Sequence, residues 1–437
     1  MISRTKQAIQ EALDQARVID PHCHLRLDRP AADNLADLLF YHHLWIELVS
    51  SGLPPYEVTR EGLPQELADP QMEPLERARR ALPYLKHVRS TTIGLFWRWL
   101  LRDLYGVEDE LNAGNLERVA ARVAERAQDP AWPERLLRER CGITASVSVE
   151  LRGRPCAPRM LRGKEGLLGW LTHYGKRPLA GWLAQAEQAG GSEAGSAADY
   201  REMLTRAVRA LPLADYQFVN LNAPAAFTHQ MASEAEVTRT LGQIKAGEAV
   251  DHVAVGGLAY FGMAAVLDAL RGAPIRTIQF MAGAELLPPP TVHRSMSQWG
   301  SGFAGALGRL AGEFPEFHFD VTTATDIYTQ DVAVLAKHVP NISVAGYWWH
   351  TLYPHYIRKT IETRLDLVPL NKIIMFFSDA YHAEWCYPKL KMVKQLLGEV
   401  LAERVEKGWY SLATAREIIE ATFYENPKAI YHIPETA

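Results

Sequence analysis

Short apolar, β-branched runs alternate along most of the chain with longer stretches of helical periodicity, the pattern of an α/β fold with a parallel sheet. Eight runs read as strands: Arg17 to Cys23, Ile143 to Leu151, Asp215 to Asn222, Val250 to Ala259, Ile275 to Ala282, Phe317 to Ala324, Ile342 to Trp349 and Ile373 to Asp379. Helical patterns separate most of them, for example Glu234 to Ala246, Met263 to Leu270 and Asp331 to His338. Eight strands alternating with helices predict a closed (β/α)8 barrel, with a doubly wound open sheet as the other solution. About 120 residues separate the first strand from the second, far more than a βα connection needs. Apolar stripes such as LADLLFYHHLWIELV and IGLFWRWLLRDLYGV lie between them, so 34–140 is expected to be a helical insertion within one domain spanning 1–437. The tail after Asp379 is helical, and a Gly/Ser-rich stretch from Gly190 is expected to be an exposed loop.

Composition narrows the class of partner. Basic and acidic residues nearly balance, 47 against 51 in 437 residues, which gives no electrostatic reason to expect nucleic acid or an anionic membrane. The N-terminus lacks the apolar core of a signal peptide, and the uncharged stretch Val253 to Leu267 is too short and Gly-interrupted to span a bilayer. Cys23, Cys141, Cys156 and Cys386 show no CxxC spacing, so four reduced thiols in a cytoplasmic protein are expected.

Two segments carry chemistry. In Asp20-Pro-His-Cys-His24, residues two apart on a strand project from one face, so His22 and His24 present paired imidazoles at a strand end. In KIIMFFSDAYH, five apolar residues lead to Ser378 and then Asp379, a carboxylate where a buried strand opens out. Closure of a barrel sets strand eight beside strand one, so Asp379 can reach an ion held by His22 and His24. Two imidazoles and one carboxylate with open positions suit a catalytic divalent metal, zinc first and manganese as the other candidate.

The ordered motifs DPHCHL (Asp20 to Leu25), FWRWLLRDLYGVEDELN (Phe96 to Asn112), AVDHV around Asp251 and His252, GYWWHTL (Gly346 to Leu352) and FFSDAYHAEW (Phe376 to Trp385) run nearly end to end. Together they resemble the uronate isomerase family of the amidohydrolase superfamily. That resemblance implies a (β/α)8 barrel, a divalent metal on His22, His24 and Asp379, a small-molecule sugar-acid substrate and a homo-oligomer. It implies catalytic roles for Asp379, Tyr41, Asp251 and His350, with Trp348 and Trp349 lining the pocket. His42 and His43 lie beside Tyr41, where the family has a His-Tyr pair near its substrate. The chain also departs from the family: Met281 stands where the family has a His, Leu286 near the place of an Arg, and Ala380-Tyr381 for a Ser-Arg pair. His293 and Arg294 are the candidate replacement clamp for a sugar carboxylate. The expected reaction is aldose–ketose interconversion of a hexuronate, with Asp379 moving a proton between C2 and C1. A metal-dependent hydrolase of a lactone, ester or amide and a non-catalytic sugar-binding barrel are the alternatives.

Overall fold

A computed structural model describes residues 3–55, 58, 72–149, 160–163, 179–224, 227, 231–286, 295–297, 300 and 302–435. Among the described residues, eight parallel strands form two sheets. One is β1 (Val18–Cys23), β2 (Ile143–Ser148) and β3 (Met160–Arg162); the other runs from β4 (Phe218–Ala223) through β5 (Thr277–Ala282), β8 (His318–Thr323) and β9 (Ile342–Ala345) to β10 (Ile373–Ile374). The remaining strands, β6 (Ala284–Leu286) and β7 (Ser295–Ser297), make a separate antiparallel pair.

Backbone bonds join the two sheets at both margins. Gln217 N donates to Arg162 O at 2.8 Å between β3 and β4. On the other side Asp379 N donates to His22 O at 3.0 Å, and His24 N to Ala380 O at 2.8 Å. The result is the expected (β/α)8 barrel with the last strand beside the first. Inside it, Ile19, Ala145, Val147, Phe218, Ala345 and Ile374 pack around Ile430 and Tyr431 from the C-terminal segment. A larger apolar core lies outside the strands, where the helices cover them.

Two strand expectations need correction. Val250 to Ala259 belongs to a helix, His252–Leu270, and Asp251 is its N-cap, accepting from Ala254 N at 2.8 Å. An unbroken apolar run reads alike as buried strand or buried helix, and here its Ala content and 19-residue length decide for helix. That helix is apolar and long enough to cross a membrane by length and composition, yet 67% of its best window is buried in this protein. The missed strand, β3, is three residues long, and its pairing with β2 makes it a strand. Between β1 and β2 the chain forms helices Leu35–Leu39, His42–Ser50, Pro74–Leu85, Thr92–Tyr105 and Leu116–Ala127.

Candidate metal centre

The site stands on the seam where β1 meets β10. The β1–β2 register is irregular between Val18 and Ile19 and again between Asp20 and Cys23. A bulge of this kind re-aims side chains: Ile19 packs inside the barrel while Asp20 turns to the seam. There Asp20 accepts from Ser378 N at 2.9 Å and from Ser378 Oγ at 2.5 Å. Burial pushes the Asp20 carboxyl up to about 6 against the pull of these two donors. The clasp fixes the chain just before Asp379, whose φ of 50° is left-handed. Asp tolerates that region better than most residues, and such strain collects at functional sites.

The carboxylate of Asp379 then meets two pairs of imidazoles. Its Oδ1 lies 3.5 Å from His22 Nε2 and 3.3 Å from His24 Nε2, and its Oδ2 lies 3.8 Å from His42 Nε2. Burial alone would raise the Asp379 carboxyl, but His22, His24 and the nearby Lys389 ammonium outweigh it and hold it well below the usual carboxylate range. Donor atoms of His22, His24 and Asp379 lie within 4.8 Å of one another, and so do those of His42, His43 and Asp379. Imidazoles and a carboxylate so grouped are suited to a divalent ion. The fit is supported by buried His22 Nε2, which has no hydrogen-bond partner among the described residues.

The surroundings are aromatic and buried. Tyr381 stacks on His24 at 4.4 Å between centroids, and Tyr41 stacks on Trp385 at 4.3 Å. The Tyr41 hydroxyl donates to Asp379 O at 3.4 Å. Trp349, in a left-handed conformation, packs on His42 and His43. Burial lowers His42 to about 3, and His43 well below the usual value, so both rings are neutral at physiological pH. His350 is lowered by burial too, and its Nε2 has no partner among the described residues. Lys389, 1% exposed, donates to Ser378 O and sits over the Tyr41 ring.

Of the expected residues, His22, His24, Tyr41 and Asp379 are brought together. Trp349 joins them through His42 and His43, and Trp348 packs against the apolar barrel interior. Asp251 is instead exposed at a helix start. His293 and Arg294 lie outside the described residues. Met281 is 1% exposed and shares the β5 face that carries Gln279. Sequence reading missed Gln279, whose Oε1 lies 2.6 Å from His22 Nδ1, and Lys389. Period-two alternation in β5 could have placed Gln279 inside the barrel; nothing local marks Lys389.

Fold and seam together define a (β/α)8 barrel with two imidazoles and a carboxylate, residue types that suit a divalent metal, gathered at its first and last strands. Comparison with known proteins points further. No protein-family model matches the chain. The uronate isomerase of Thermotoga petrophila is 25% identical over 100 residues, which is 23% of this chain and 22% of that protein. That of Thermotoga neapolitana is 22% identical over 100 residues. The sequence match therefore spans less than a quarter of these curated relatives, 22% of their length. The structural match spans nearly all of both chains. Glucuronate isomerase from Caulobacter crescentus aligns with a TM-score of 0.79 at 16% identity, over 99% of this chain and 95% of that one. Uronate isomerase from Thermotoga maritima aligns with a TM-score of 0.76 at 13% identity, over 99% and 98%. The chain is thus similar to the uronate isomerases, as its motif order indicates, and shares their fold from end to end.

Proposed function

We propose that this chain is a divergent uronate isomerase that interconverts an aldose hexuronate and its 2-ketose with a divalent metal, zinc or manganese, on His22, His24 and Asp379. The observation that carries the reading is the seam itself. Two imidazoles from β1 converge on the carboxylate after the last barrel strand, in a fold shared over 99% of the chain with uronate isomerases.

A bound divalent ion supplies Lewis-acid polarisation of a sugar carbonyl or hydroxyl oxygen. The protein's own groups do the rest. Asp379, held ionised by its neighbours, takes the proton from C2 and returns it at C1. The Tyr41 hydroxyl, committed to the Asp379 carbonyl, keeps that carboxylate in place. Neutral His42, His43 and His350 offer hydrogen bonds to sugar hydroxyls, and the walls of Trp349 and Tyr381 exclude water. His293 and Arg294 remain the candidate clamp for the sugar carboxylate. The same reading makes the protein a cytoplasmic homo-oligomer acting on a small-molecule sugar acid, and light scattering that returns a monomer mass would remove the oligomer.

Met281 favours a second reading. Its thioether stands where an imidazole would add a ligand or proton carrier, and with Leu286 and Ala380-Tyr381 in place of sugar-carboxylate clamps it weakens the isomerase reading in favour of hydrolysis of an uncharged lactone or ester. Incubation with zinc or manganese and D-glucuronate or D-galacturonate, with ketose followed through an NADH-consuming reductase, separates the two. Turnover abolished by His22→Ala and Asp379→Asn is the expected result. Metal binding without any turnover of either sugar, together with hydrolysis in a lactone and ester screen, would establish the second reading instead.

A further inference from the structure

We propose that Tyr431, at the far C-terminal end of the chain, decides which nitrogen of His22 is available to a metal, acting as a positioning residue through Gln279. The inference rests on His22 being a metal ligand, as argued above.

The geometry is a chain of buried hydrogen bonds through the barrel interior. His22 Nδ1 lies 2.6 Å from Gln279 Oε1, and Gln279 Nε2 donates to Tyr431 Oη at 2.9 Å. Tyr431 in turn donates to Asp320 Oδ2 at 2.5 Å, and Ser343 Oγ donates to Asp320 Oδ1 at 2.5 Å. His22, Gln279, Asp320, Ser343 and Tyr431 are each at most 2% exposed, so these bonds are shielded from bulk solvent and losing a partner is costly.

The direction of the chain follows from one group. An amide can present either end, and a neutral imidazole can carry its proton on either nitrogen. Both Asp320 oxygens accept, Oδ1 from Ser343 and Oδ2 from Tyr431, so the single proton of Tyr431 is spent there and its phenol oxygen can only accept from Gln279. Gln279 must then turn its NH2 to Tyr431 and its carbonyl to His22. A carbonyl only accepts, so the His22 proton sits on Nδ1. The lone pair is left on Nε2, the atom 3.5 Å from Asp379 Oδ1. Without the phenol hydroxyl, both amide orientations become comparable and so do both tautomers.

Tyr431 reaches this position because the C-terminal segment plugs the barrel at the N-terminal end of the strands. Ile430 O accepts from Thr277 Oγ1, at the first residue of β5. The Tyr431 ring packs edge-on to Phe218, with centroids 5.5 Å apart. The next residue, His432, turns the chain away with a φ of 51°.

Zinc affinity of the whole protein, measured by chelator competition after metal removal, tests the inference. Tyr431→Phe keeps the ring and removes only the hydroxyl. It should weaken zinc binding roughly 10- to 100-fold, the usual effect of losing an outer partner of a ligating His. Adding Gln279→Glu should restore affinity to within about threefold, because a carboxylate accepts from Nδ1 without needing Tyr431. A packing role for Tyr431 would not be rescued this way. The 15N shifts of the metal-free imidazole should report the Nδ1–H tautomer in the parent and a mixture in Tyr431→Phe. Should Tyr431→Phe not fold, Gln279→Leu carries the same expectation of roughly 10- to 100-fold weaker zinc. Unchanged affinity in these variants, or failed rescue, overturns the proposal. His22→Ala separates it from the reading beneath: if that variant keeps full zinc affinity, the metal site itself fails.

Discussion

At the residue scale, Asp379 combines a left-handed backbone with a carboxylate among imidazoles. Asparagine tolerates the same backbone, so Asp379→Asn should fold normally; on the proposed function it loses a direct ligand rather than an outer partner and should bind zinc at least about 100-fold more weakly. Chelator competition and circular dichroism check both halves. A second carboxyl, Glu47, has a different fate. Glu47 is half-buried, and burial pushes it up to about 7 from 4.5 against the pull of the Thr91 hydroxyl. A carboxyl with a raised folded pKa binds its proton more tightly in the native state. Its stabilising share is complete below about 4.5 and is lost as pH rises through about 7. Glu47→Gln does not titrate, so the parent should lose stability relative to that variant between pH 5 and pH 8. The expected change is of the order of 1–2 kcal/mol once solvent screening is allowed for. Thermal melts that give the same gap at both pH values would contradict it.

At the element scale, the junction of β9 and β10 is tight. Gly346 has a φ of 41°, and a Cβ added there would stand 2.1 Å from Phe377 Cδ1. The Phe377 ring also packs edge-on to His22 with centroids 5.6 Å apart. Gly346→Ala should therefore cost roughly 3 kcal/mol and weaken zinc binding as well, measured by denaturant unfolding and chelator competition. Asp251 offers the opposite case. As the N-cap of the helix His252–Leu270, it should cost about 1 kcal/mol when replaced by Ala and leave zinc affinity as it was. A collapse of hexuronate turnover in Asp251→Ala would restore the catalytic role that the family resemblance implies.

At the scale of the whole molecule, Glu384 ties the β1–β2 connection to the end of the barrel. It is fully buried and accepts from Tyr105 Oη and Trp132 Nε1, both at 3.0 Å, and from Ala32 N at 3.1 Å. Three donors on two oxygens need a carboxylate. Glu384→Gln turns one oxygen into a donor facing donors, and roughly 3 kcal/mol of stability should be lost. Equal denaturation midpoints for parent and variant would show that the tie is dispensable.

Much of this architecture is legible along the chain because it repeats locally. Short apolar, β-branched runs mark seven of the barrel strands, and the one ending in Asp379 marks the carboxylate. The His22–His24 spacing marks the paired imidazoles. Three things were not legible. Apolarity alone does not separate strand from helix, so the run from Val250 was misread. β3 is a strand through its partner rather than its own three residues. The couplings of His22 to Gln279, of Gln279 to Tyr431 and of Lys389 to Ser378 join segments by directional hydrogen bonds, and a hydrogen bond depends on positions that periodicity does not encode. Sequence by itself determined the barrel and the residue types at its seam, because burial of apolar faces is a local, additive pressure. Only the tertiary structure decided which proton sits where, because that depends on which donor meets which acceptor once the ring has closed.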